Sequence, residues 1–151
     1  MPNPWTTSDN SRIHVSTPKA LWDALDKLFH FDHDPCPLYA DFDGLAESHA
    51  WGDVNFVNPP YNNIPAWVHA ALRSGATTSV FLVPARVSSR YWHERVFPLA
   101  TAIMFLCGRV RFDGYASGGP TPMCVIVFGR LPAELLQVKK LSTYDVSTVV
   151  L

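Results

Sequence analysis

The chain has 151 residues, enough for one domain with a real core and too few for two. It is 48% hydrophobic and 17% charged, which excludes a disordered chain, and no apolar run reaches the roughly 20 residues that cross a bilayer. Three unpaired cysteines (Cys36, Cys107, Cys124) and the lack of a signal peptide argue against a secreted disulfide framework, so a soluble, cytoplasmic protein is expected.

The net charge of −1 conceals two opposed regions. Asp32, Asp34, Asp41, Asp43, Glu47 and Asp53 fall between positions 32 and 53 with no Lys or Arg, a stretch suited to a cationic or hydroxyl-rich small molecule. Arg86, Arg90, Arg95, Arg109 and Arg111 face Glu94 alone between 84 and 112, a pattern suited to a phosphate backbone.

In chain order, residues 1–16 read as an irregular lead-in. Thr17-Pro18 reads as a helix start, hydroxyl at N-cap and proline at N1, before Leu21, Trp22, Leu25, Leu28 and Phe29 at helical spacing. Residues 29–34 alternate like a short strand ending on an acid, and 35–51 are irregular. Residues 54–57 form an apolar strand that stops at Asn58-Pro59-Pro60-Tyr61. A helix is expected over 64–73, a buried strand over 79–83, a helix over 88–97 and a strand over 102–107 continued by Val110 and Phe112. A Gly/Pro-rich loop over 114–122 precedes a last buried strand, 123–128, and the tail from 131 reads as a weak helix and a β-prone end. This alternation predicts an α/β sheet, mostly parallel with an antiparallel edge hairpin.

Asn58-Pro59-Pro60-Tyr61 carries the chemistry. A conjugated amino group is a poor nucleophile because its lone pair is delocalised. An amide oxygen and a backbone carbonyl that accept its two N–H bonds draw the nitrogen toward tetrahedral geometry and free that pair. Two prolines stiffen the turn and remove two backbone donors, and the tyrosine ring can stack on a flat target. His30, Asp32, His33, Asp34 and Cys36 hold metal-binding atoms, but strand alternation puts His33 on the face opposite His30, Asp32 and Asp34, so no four-ligand site is built locally.

The span from Ser16-Thr17-Pro18 to Phe128-Gly129 resembles the phage-borne Dam-type DNA N6-adenine methyltransferases. The shared features, in order, are Thr17-Pro18 before a helix, Asp34-Pro35-Cys36, Asp43-Gly44-Leu45, Trp51, Asn58-Pro59-Pro60-Tyr61, Trp67, Leu82-Val83-Pro84, Trp92, Gly108-Arg109 with Phe112, and Pro122 before Phe128. The resemblance implies a minimal class I, Rossmann-like methyltransferase fold, S-adenosylmethionine as donor, and a flipped-out adenine in double-stranded DNA as acceptor. It implies Asn58, Pro59, Pro60 and Tyr61 as the catalytic loop. Asp34, Pro35, Cys36 and Asp43 would contact the cofactor, with Trp5 and Thr17 closing the pocket from the N-terminal side. Arg86, Arg90, Arg109, Arg111 and Tyr115 would face DNA. No glycine-rich loop follows Asp34, and only 24 positions separate it from Asn58, so a stripped-down sheet is expected, with cofactor contacts from side chains and proline turns. Specificity would come from loops, termini or a second copy of the chain in a homodimer. Other amino acceptors (cytosine N4, an RNA base, a protein glutamine) share this chemistry, and a DNA-binding module that has lost its cofactor is the alternative from another class.

Overall fold

The computed structural model of the chain describes residues 15–112 and 121–151. Helix α1 (Lys19–Phe29) opens the described chain, and its apolar stripe, Leu21, Leu25, Leu28 and Phe29, is buried. Each of these side chains contributes about 1.5–3 kcal/mol of hydrophobic burial. The helix ends where His30 turns left-handed at φ 60° and the Asp26 carboxylate accepts the Phe31 backbone N–H at 2.9 Å. Pro18, not Thr17, occupies the N-cap position, and no side chain caps that end. The threonine hydroxyl is engaged elsewhere.

Strand β1 (Val54–Val57) leads through the turn at Asn58 into helix α2 (Ile64–Arg73), whose Ile64, Trp67, Val68 and Ala71 are buried. Strand β2 (Thr78–Pro84) is buried along its whole length. It is followed by a π-helical turn, Trp92–Val96, that runs into a short helix α3 (Phe97–Leu99). Strands β3 (Ala102–Leu106) and β4 (Met123–Gly129) complete the middle of the sheet. A 3-10 turn at Leu135–Gln137 precedes a terminal hairpin of β5 (Lys140–Leu141) and β6 (Tyr144–Val150).

The six strands form one sheet in the order β1-β2-β4-β3-β6-β5. Of the strands in the described residues, β1 and β2 alone pair in parallel, Val54 opposite Thr78, joined by the α2 crossover. The β2–β4, β4–β3, β3–β6 and β6–β5 pairs are all antiparallel. This corrects the fold class expected from sequence: the sheet is mixed, curled and mostly antiparallel, with three short helices, and it is not a Rossmann-like parallel α/β sheet. The reason is the placement of β4. Its seven residues pair along all of β2, from Thr78 with Gly129 to Pro84 with Met123, and with β3 on the other side, so the last core strand fills the centre rather than an edge. The expected extension of β3 through Val110 and Phe112 also fails, since the strand ends at Leu106.

The segment before β1 makes a single parallel bridge, His33 with Asn55, supported by Asp32 N–H to the Val54 carbonyl and Phe56 N–H to the His33 carbonyl. Residues 35–51 then wind through turns and pack back on it. Gly44 allows this: a side-chain carbon there would overlap the Pro35 carbonyl oxygen and press on Trp67. Trp51 donates its indole N–H to the Gly44 carbonyl at 2.9 Å, which fixes the same approach. Gly44→Ala is therefore expected to lower stability by about 2 kcal/mol, read as a lower denaturant midpoint at unchanged slope.

Candidate functional site

Asp34 and Asn58 both stand just past the carboxyl ends of neighbouring parallel segments, the His33 bridge and β1. They line one cavity of about 490 Å³ together with the segment 15–17, the start of α1, the turn at Cys36–Leu38, and Phe56. That volume is within the range, about 300–1,000 Å³, that holds a small ligand or cofactor.

The Asn58 side chain is buried, and its amide orientation is fixed by its neighbours. The Nδ2 group donates to the Val15 carbonyl at 2.8 Å and to the Thr17 hydroxyl at 2.9 Å. A carbonyl can only accept, so nitrogen must face Val15 and oxygen must face away. The Oδ1 atom is buried with no hydrogen-bond partner among the described residues. A buried acceptor without a donor costs about 1–3 kcal/mol, and a ligand N–H would remove that cost.

Asp34 lines the same cavity. Its carboxylate accepts the Cys36 backbone N–H at 2.9 Å, yet burial outweighs this bond and raises the carboxyl to about 6 from its ordinary 3.8. Burial, then the neighbouring Asp34, pushes the Cys36 thiol up to about 12, so it is held as an inert neutral group. Pro35 is buried behind them with its carbonyl against Gly44. Lys19 and Asp23 border the cavity as an exposed ion pair at 2.7 Å. Trp22 and Phe56 supply aromatic surface.

The structure separates other residues that the sequence reading had grouped. Asp43 is exposed and away from this cavity, its carboxylate accepting the Leu45 backbone N–H at 2.9 Å in a local turn. Tyr61 is 3% exposed and packs edge-on to Phe112, with its hydroxyl 3.9 Å from the Met123 sulfur, so its ring is in the core rather than on the cavity wall. The Pro60 carbonyl accepts the Asn63 N–H, closing the turn. Pro59 is buried. Trp5 and Tyr115, and most of the 114–122 loop, lie outside the described residues.

The arginines are exposed and make different contacts. Arg86 donates to the Tyr61 carbonyl at 3.2 Å and so sits against the Asn58–Tyr61 turn. Arg90 pairs with Glu94, Arg95 donates to the Glu94 carbonyl, and both border a surface hollow with His69 and Tyr91. Arg109 and Arg111 follow β3, where the Arg111 backbone N–H donates to the Tyr144 hydroxyl at 3.1 Å.

Val15, Ser16, Lys19, Trp22, Asp23, Pro37, Leu38 and Phe56 were not singled out from sequence. A signal was available for three of them: Lys19, Trp22 and Asp23 are three or four residues apart on one face of α1, directly after Thr17. Among the described residues no group of three or more side chains could hold a metal ion, and no helix is long and apolar enough to cross a membrane. No family model, curated protein or solved structure matches the chain.

Because the folded chain favours protonated Asp34, this group supports folding below pH 3.8 and loses that contribution as pH rises through about 6. Asp34→Asn should accordingly be more stable than the parent by on the order of 2 kcal/mol near neutral pH. The difference should vanish as the pH falls to about 4. Thermal melts of the two proteins across that range check this; a constant difference would show that burial of the charge is not its source.

Proposed function

We propose that the chain is an S-adenosylmethionine-dependent methyltransferase acting on an amino nitrogen, with N6 of a flipped-out adenine in DNA as the acceptor. The observation that carries this reading is the Asn58 amide, held through its nitrogen so that a buried oxygen is left to accept. An exocyclic amino group donates a hydrogen bond to that oxygen, its lone pair becomes less delocalised, and the nitrogen becomes able to attack a methyl carbon. Pro59 and Pro60 hold the turn stiff, so the acceptor does not swing away during the reaction. Their contribution is positioning.

The cavity suits the cofactor chemically. Among the described residues its side chains offer acceptors from Asp34, Asp23 and Asn58, hydroxyls from Ser16 and Thr17, and one cation, Lys19. S-adenosylmethionine would supply an electrophilic methyl group on a positively charged sulfur. A cation near Asp34 offsets the cost of ionising it, Lys19 complements a carboxylate, and Trp22 and Phe56 offer surface to a flat ring. The exposed arginines supply phosphate contacts, with Arg86 nearest the catalytic turn. Tyr61 has a structural part in this reading: from within the core it anchors the turn that presents Asn58.

S-adenosylmethionine is expected to raise the melting temperature of the parent protein. Asn58→Ala should lower methyl transfer by about a hundredfold or more while keeping the parent circular dichroism spectrum. Sequencing of DNA recovered from expressing cells identifies the base and site together. A folded, fully active Asn58→Ala protein would sink the proposed role, and label transfer to RNA or protein without DNA would replace the substrate.

A further inference from the structure

The side chains of His33 and His49 meet outside the cavity that holds Asp34 and Asn58. Their Nε2 atoms are 2.9 Å apart, their ring planes differ by 28° and their centroids are separated by 5.1 Å. The centroid separation is close to the contact distance plus the two half-rings, so the imidazoles lie end to end. That is the geometry of one shared proton in an N–H···N hydrogen bond. Phe42 stacks flat on His49, with centroids 4.1 Å apart and planes 3° apart.

We infer that the His33–His49 contact is an acid-sensitive latch that holds the 35–51 loop, and with it the Cys36–Leu38 wall of the cavity, against the sheet. His33 belongs to the segment bridged to β1, and His49 to the far end of the loop. With no extra proton, one Nε2–H donates to the other ring's lone pair. One proton can be added at the donor ring's Nδ1 with the contact kept, and the bond becomes charge-assisted. A second proton must occupy the accepting Nε2. Both nitrogens then carry hydrogen, two positive rings face each other, and the contact is lost.

The surroundings of His33 oppose its protonation. Burial lowers the His33 pKa from its ordinary 6.5, and His49 lowers it further, against the Asp32 carboxylate, which raises it. Glu47 and Arg73 border His49 from the loop and from α2, with opposite charges. The open rings can take two protons and the closed contact at most one, so opening takes up a proton and grows as pH falls below about 6.5. A second tie, from the Arg73 guanidinium to the Leu45 carbonyl at 2.9 Å, does not titrate in this range and keeps the loop attached at its middle. The consequence for the cavity rests on the ligand-site reading above; the latch itself does not.

Hydrogen exchange of the intact protein without any methyl donor tests it. After correction for intrinsic rates, opening of residues 37–50 should rise by up to about tenfold per pH unit for each proton gained between about pH 6.5 and 5. Amides of α2 should show no such change, and His49→Gln, which cannot titrate, should abolish the acid dependence. Protection of 37–50 that ignores pH, or acid sensitivity that survives in His49→Gln, would overturn the latch. If that variant does not fold, imidazole nitrogen shifts of the parent protein decide: coupled titration of the two rings supports the latch, and two independent curves at ordinary values refute it. Failure of S-adenosylmethionine to bind would count against the proposed function and leave these readouts unaffected.

Discussion

The site depends on two donations from one amide nitrogen. The Asn58 amide nitrogen ties residues 15 and 17 to the end of β1, more than forty positions along the chain, and through that tie sets which atom of the amide is left over. An asparagine free to flip would present donor and acceptor alternately and recognise nothing in particular. The Val15 carbonyl removes that ambiguity because it can accept only from nitrogen. The same bonds bring Thr17, and behind it α1, to the edge of the cavity, so recognition and cavity wall are built by a single contact.

Around that contact the cavity balances two polar groups of different kinds, one buried and one half-buried. Asn58 is neutral, pinned and left with an acceptor; Asp34 is ionisable, held by one backbone N–H and raised by burial. Each is costly in the unliganded chain, and each would be relieved by a donor or a cation. Stability and binding therefore pull against one another here, as they do wherever a protein keeps polar atoms unsatisfied for a ligand.

Local patterns were legible and long-range ones were not. The α2 stripe of Ile64, Trp67, Val68 and Ala71 and the short β1 strand follow from side-chain spacing, because each buries a face set by its own period. The position of β4 could not be read that way. Met123–Phe128 is apolar on both faces, which reports burial and says nothing of direction, and either neighbour or an edge would have satisfied it. The same limit applies to Tyr61 and Asp43. Their residue types suited stacking and ribose contacts, but a core ring against Phe112 and a turn cap on Leu45 use the same chemistry. Trp22 and Phe56 were hidden for the converse reason: aromatic residues on a helix stripe and a buried strand look like core until the cavity beside them is seen.

The central place of β4 also governs the order in which the molecule can be assembled. β2 and β3 emerge first during synthesis, each strongly apolar, and neither is paired with the other. Both wait for residues 123–129, which supply hydrogen bonds to each of them at once. Until then β2 has one open edge and β3 has two, and strand edges of that kind are where chains join the wrong partner. Residues 123–129 close the β2 edge and one edge of β3, and β6 closes the other, so the sheet forms late, and a chain cut short before β4 would leave all of these edges open to aggregation.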